Sequence, residues 1–131
     1  MALEKVQLLE CLGASVERVP PASFSDPDHF CNLAQRRAAE DPNGWFANQF
    51  DNLSNQKAHY EGTGPELWEQ MDGRIDVLVV AAGTGGLAAG VSRFLKEQDA
   101  SISEMLVDPP GSSLFLRVTQ GVAFSDKEFE V

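Results

Sequence analysis

The sequence predicts an α/β protein built on a parallel sheet with helices on both faces. Three observations carry that prediction. Residues 75–82 are nearly all apolar, as expected for a strand buried on both sides. A glycine turn, Gly83-Thr84-Gly85-Gly86, follows at once, and Leu87, Val91, Phe94 and Leu95 then recur at helical spacing. Residues 102–107 are a further strand candidate before Asp108-Pro109-Pro110-Gly111 turns the chain out. Strand, helix, strand at this spacing is a βαβ unit with a right-handed crossover.

The preceding elements are read in order. Ala2, Val6, Leu9 and Gly13 lie at helical spacing, and Gly13 ends that helix. Residues 15–20 alternate as a short strand around Val16 and Val19, broken by Pro20-Pro21. Ser25 or Asp26 is placed to cap a second helix with Pro27 in its first turn. Phe30, Leu33, Ala34, Arg37 and Ala38 mark one face of it. Asp41-Pro42-Asn43-Gly44 is a turn. Residues 45–50 are a candidate strand, residues 51–63 a polar stretch, and a helix is expected from about Gly64-Pro65 to Met71, stopped by Asp72-Gly73. Ser112 or Ser113 is positioned to cap a last helix. The tail from Thr119 is polar and acidic, so residues 1–118 are expected to form an α/β unit and 119–131 a separate tail. Both ends are expected to be cut. Met1 falls inside a helical pattern with no cap before it, and the tail stops without closing an element.

At 131 residues the chain is long enough for one α/β domain. The formal charge of −10 argues against a nucleic-acid partner, which is held largely by phosphate neutralisation. No apolar run is long enough to span a bilayer, and Met1-Ala2-Leu3-Glu4-Lys5 does not open a secretory signal. A cytoplasmic setting is the default, with a mitochondrial one open for a longer parent. Cys11 and Cys31 form no CxxC pair and sit among apolar neighbours, so buried thiols are expected.

The glycine turn is the most informative stretch. Glycines let the backbone curl until successive N–H groups converge, and the following helix adds its dipole and unpaired donors. A phosphate can be cradled there without a lysine. The turn is neither a P-loop nor a dinucleotide fingerprint, since the last position of Gly-x-Gly-x-x-Gly holds Ala88. Taken alone it is equally a tight βα turn whose glycines serve packing.

Context decides more. Gln49-Phe50-Asp51-Asn52-Leu53-Ser54-Asn55-Gln56-Lys57-Ala58-His59-Tyr60 is followed in order by Thr63-Gly64-Pro65-Glu66-Leu67-Trp68, Gly73-Arg74-Ile75-Asp76, Gly83-Thr84-Gly85-Gly86 and Asp108-Pro109-Pro110-Gly111-Ser112. With the opening Glu4-Lys5 and Leu12-Gly13-Ala14, this series resembles the cysteine synthase/cystathionine β-synthase family of fold-type-II pyridoxal-phosphate (PLP) enzymes, over about residues 1–114. The resemblance implies that the chain is the middle of a larger homodimeric enzyme using PLP. Such an enzyme eliminates a leaving group from O-acetylserine or serine and adds sulfide or a thiol, as in cysteine biosynthesis. It implies that Gly83, Thr84, Gly85 and Gly86 bind the cofactor phosphate and that Gln49 contacts the carboxylate of a small amino-acid substrate. Two departures stand out. Leu87 occupies a position where the family usually has threonine. The family's Schiff-base lysine, in a Ser-x-Lys-Asp/Arg segment, is absent, as Lys5, Lys57, Lys96 and Lys127 have other contexts. The family's Thr/Ser-Ser-Gly-Asn substrate loop and its downstream serine or threonine at the pyridine nitrogen are missing too. No catalytic residue is therefore assigned, and the chain as it stands is expected to be inactive. The alternatives are a non-catalytic isoform serving as an anion-binding or interaction module, and a plain nucleotide-phosphate-binding α/β domain.

Other chemistry-bearing residues have simpler readings. His59 lacks the Cys/His/Asp company of a metal ligand and reads as a helix-surface or capping residue. His29 and Cys31, two apart, point to different helix faces. No metal site is expected. Trp45 and Trp68 read as packing residues and Glu66 as a first-turn partner of the helix dipole.

Overall fold

The computed structural model describes residues 2–122, so the acidic tail expected over 119–131 lies outside the described residues from 123 on, and residues 119 and 120 belong to the last helix. The chain divides into two compact units, one described over residues 2–46 and one over 47–122.

The first unit holds α1 (Leu3–Cys11) and α2 (Phe30–Glu40). Val6 is the buried residue of α1, while Leu8, Leu9 and Leu12 are exposed. Cys11 is exposed rather than buried, because α1 covers only the Val6 side; Cys31 is buried. The α2 cap is His29, not Ser25 or Asp26. His29 Nδ1 accepts the Cys31 N–H at 3.3 Å. Asp26 Oδ1 is used one turn earlier, accepting the Asp28 N–H at 2.8 Å. Asn32 Nδ2 donates back to the Phe24 and Asp26 carbonyls at 3.0 and 2.7 Å, which fixes the loop before the helix. Of the predicted α2 face, Leu33 and Ala38 are half-buried, whereas Phe30, Ala34 and Arg37 are exposed. Residues 15–20 form no strand. Among the described residues no strand pairs with them, and an extended segment without a ladder is not a strand.

In the second unit the candidate strand 45–50 is also absent. Asn48 adopts a left-handed φ of 46°, and its carbonyl accepts the N–H groups of Asp51 and Asn52 at 3.2 and 2.9 Å. The chain turns there instead of extending. Trp45, just before, is 78% exposed and is not a packing residue. The polar stretch is helical. A continuous right-handed path runs through α3 (Ser54–Ala58), a π-helical turn (His59–Thr63) and α4 (Gly64–Gln70). The π turn lies directly before Pro65, whose ring has no N–H and crowds the carbonyl four residues back.

Then come β1 (Val77–Ala81), α5 (Gly86–Gln98), β2 (Ser103–Val107) and α6 (Ser113–Gln120). β1 and β2 pair in parallel, with Val77 opposite Ser103 and Ala81 opposite Val107. The α5–β2 turn is held by Asp99, whose Oδ1 accepts from the Ser101 N–H at 2.8 Å and hydroxyl at 2.7 Å. Those two bonds hold the Asp99 carboxyl below its ordinary pKa. The core consists of Val91, Leu95 and Ile102, with Leu67, Trp68, Ile75, Leu78 and Phe94 packed against it. Leu87 is exposed; Ala88 takes the buried place in that turn of α5. The β1 face carrying Leu78 and Val80 is half-buried, while Val77 and Val79 on the other are exposed, so β1 is not covered on both sides among the described residues. Ser112 caps α6, its Oγ accepting the Leu114 N–H at 3.1 Å. No helix among the described residues is long and apolar enough to cross a membrane.

Candidate functional site

A parallel sheet places the C-terminal ends of its strands side by side. Ala81 and Val107 are register partners, so the glycine turn and the segment after β2 leave from the same edge. Ligands of open α/β sheets bind outside that edge.

The turn has the predicted form. β1 ends at Ala81, residues 82–85 turn, and α5 begins at Gly86. Gly85, the N-cap, is left-handed at φ 84°, a conformation that an L side chain rarely adopts. Around the positions a Cβ would take at Gly83 and Gly85 there is open space. The N–H groups of Gly83, Thr84 and Gly85 meet no acceptor among the described residues. A phosphate group fits this donor set, since its oxygens accept and the loop offers three N–H donors and an open face.

The remaining two glycines act by absence of bulk. A Cβ on Gly86 would overlap the Asn55 side chain, and one on Gly90 would overlap the Gln56 carbonyl of α3 and stand 2.8 Å from the Tyr60 nitrogen. Gly86 and Gly90, four apart, thus let α5 lie against the backbone of α3 and the π turn. That contact brings Asn55 to the loop. Its Nδ2 donates to the Gln49 carbonyl at 2.9 Å and to Thr84 Oγ1 at 2.9 Å. The Gly86 N–H also points to Thr84 Oγ1, at 3.5 Å. Gln49, which is exposed, and the glycine loop are therefore joined through a residue that spacing alone did not single out. Asn55 sits in a stretch without an apolar stripe, and only its place in the quoted motif series marked it.

Cations nearby are engaged elsewhere. Arg93 Nε donates to Glu97 at 3.1 Å and lies 4.9 Å from the Tyr60 ring centre. Tyr60 donates its hydroxyl to Glu97 at 2.6 Å. Tyr60 and then Arg93, by bonding to the carboxylate, lower the Glu97 pKa, and the same hydroxyl bond raises that of Tyr60. Lys57 pairs with Glu61 at 3.7 Å, and Lys96 donates to the Ala100 and Ile102 carbonyls. His59 Nδ1 bonds the Thr63 hydroxyl at 2.9 Å within the π turn. No group of three His, Cys, Asp or Glu residues that could hold a metal occurs among the described residues. Glu66 stands in the first turn of α4, bonded by Gln70 at 3.0 Å, and Trp68 packs on the core.

A family model described as pyridoxal-phosphate-dependent enzyme matches residues 1–128. The chain belongs to that family. The cofactor of that family is pyridoxal phosphate. The chain is 48% identical over 134 aligned positions to "Cysteine synthase 2" of Schizosaccharomyces pombe, covering 97% of this chain and 34% of that protein. It is 50% identical over 125 positions to "Cysteine synthase" of Dictyostelium discoideum, covering 95% and 33%. It is 44% identical over 115 positions to "Cystathionine beta-synthase" of Oryctolagus cuniculus, covering 87% and 21%. The chain thus spans about a third of the length of the cysteine synthases it matches.

Proposed function

We propose that this chain is the phosphate-loop segment of a cysteine-synthase-like enzyme acting on O-acetylserine or serine with sulfide or a thiol. In this reading Gly83, Thr84, Gly85 and Gly86 hold the cofactor phosphate and Gln49 meets the substrate carboxylate. The observation that carries it is the open turn between β1 and α5, with three backbone N–H groups lacking acceptors and a left-handed Gly85, in a chain of this family. When bound, PLP supplies the electron sink for elimination and replacement at the amino acid. The chain's own residues supply donors to the phosphate and, through Gln49, to the carboxylate. The assembly proposed for the longer enzyme is a homodimer.

A catalytic lysine is the missing part, and the chain by itself is proposed to be inactive. Lys57 and Lys96 are held by Glu61 and by backbone carbonyls, away from any role as a free amine. On those grounds the second reading, a non-catalytic anion-binding or interaction module, applies to the polypeptide as it stands. Two measurements test the pair. Titration with PLP and with inorganic phosphate, followed by amide NMR, should move the signals of residues 83–86. Gly85→Ala should weaken that binding more than Arg93→Ala, because Arg93 is engaged by Glu97 and Tyr60. If Arg93→Ala abolishes binding and Gly85→Ala spares it, the loop is not the anion site. A PLP–lysine absorption band that survives dialysis would refute the inactive reading.

A further inference from the structure

We infer that Asn55 is a positioning residue which turns the Thr84 hydroxyl into an obligate hydrogen-bond donor toward the anion in the glycine loop, and ties that loop to Gln49. The inference rests on the reading of residues 83–86 as a phosphate site. Its basis is the direction of each hydrogen bond. The Gln49 carbonyl can only accept, so the Asn55 atom that meets it at 2.9 Å is the amide nitrogen. The same nitrogen has a second hydrogen, and it lies 2.9 Å from Thr84 Oγ1. Thr84 must accept there. The Gly86 N–H approaches the same oxygen at 3.5 Å. A hydroxyl has two lone pairs and one hydrogen. With the lone pairs facing Asn55 and Gly86, the hydrogen is the part left to point outward, and Thr84 is exposed. An anion is the partner such a hydroxyl suits.

The arrangement also accounts for Gly86, whose backbone is not left-handed yet has no room for a Cβ because Asn55 occupies that space. It further links two functional positions. The bond to the Gln49 carbonyl anchors the backbone of the residue proposed for the substrate carboxylate to the residue that orients the phosphate donor. Movement of one is transmitted to the other through a single planar amide.

The test is a double-mutant cycle on the whole chain with inorganic phosphate as the probe, read from the amide shifts of residues 83–86. Asn55→Ala should weaken phosphate about tenfold, the scale of a lost hydrogen bond to a charged group. Thr84→Val should weaken it similarly. In the Thr84→Val background, Asn55→Ala should cost less than about twofold, since no hydroxyl remains to orient. A packing role would carry the same loss into both backgrounds, and that result overturns the inference. If Asn55→Ala loses its dispersed spectrum, Asn55→Leu, of similar shape and without donors or charge, takes its place in the cycle. An undiminished affinity in Asn55→Ala overturns the inference while leaving the loop reading intact. Absence of any loop shift in the unsubstituted chain overturns both, so the two failures are distinguishable.

Discussion

The two halves of α5 pack by different rules. The C-terminal half presents Val91, Phe94 and Leu95 to Ile102, Leu67 and Trp68, a side-chain core in which Val91 and Leu95 are 0% and 1% exposed. The N-terminal half presents Gly86 and Gly90 to Asn55, Gln56 and the π turn, a contact made by missing side chains and polar neighbours. Stability resides mainly in the first, while the second borders the loop proposed for the phosphate. The difference teaches how one helix can be a structural member at one end and fix the position of a loop at the other. Burying apolar surface is tolerant of small shifts, whereas backbone-to-backbone approach fixes position and leaves N–H groups available.

Four substitutions or titrations would break or sharpen that contrast. The largest effect is expected from Leu95→Ala, which should destabilise the fold by about 3 kcal/mol through lost burial and a cavity, while leaving phosphate-induced shifts at residues 83–86 in place. Urea denaturation and the phosphate titration measure the two sides. Gly90→Ala comes next. Overpacking against the Gln56 carbonyl should outweigh the gain in helix propensity, for a net loss of about 1 to 2 kcal/mol. Unlike Leu95→Ala, it should also displace the Asn55 side-chain amide signals. An increase in stability would show that the crossing is looser than described. Gly85→Ala should lose about 1 kcal/mol from its left-handed backbone, a smaller stability effect accompanied by the larger loss of anion binding.

The smallest effect concerns the outer face of α5. Glu97 titrates below its ordinary value of 4.5 because Tyr60 and Arg93 bond its carboxylate. A carboxyl with a depressed folded pKa contributes stability above the unfolded pKa and loses it as pH falls through the folded value. The difference between the chain and Glu97→Gln should therefore be steady from neutral pH down to about 4.5 and fade below it. Tyr60, raised above 10.0 by the same bond, contributes in the opposite sense: fully below that value, lost as pH rises through the folded one. Thermal melts across the two ranges check both. A difference that grows in acid would mean that Glu97 is not the acceptor.

What was legible in the sequence follows from where side chains carry the signal. The run over residues 75–82, the stripe of Val91 and Leu95, and the glycine turn each leave a pattern, and β1, the turn and α5 lie where that pattern puts them. β2 and the Ser112 cap were equally plain. The helix over Ser54–Gln70 was legible only after Gly64 because its first half docks through backbone and through Gly90 of another element, leaving no stripe of its own. Residues 15–20 and 45–50 had strand-like composition, but a strand exists only with a partner, and a left-handed Asn48 is invisible to alternation counting. The His29 cap was missed because Asp26 spends its carboxylate on Asp28. At the candidate site, the turn could be read from its glycines, whereas the bond of Asn55 to Thr84 could not, since its partner is 29 residues away.

The π-helical turn at His59–Thr63 has a consequence of phase. One extra residue in a single turn advances the helix by about 100° relative to an uninterrupted α-helix. Everything before it, Asn55 included, is therefore rotated with respect to the face of α4 that packs Leu67 and Trp68 on the core. The widened turn acts as a gear tooth that sets two stretches of one helix to different partners. Gly62 lies in it, with open space where a Cβ would stand, so its deletion removes no packed side chain. Deleting Gly62 would let the ladder close as ordinary α-helix and swing Asn55 off Thr84, uncoupling the loop from Gln49 without altering any residue that touches either.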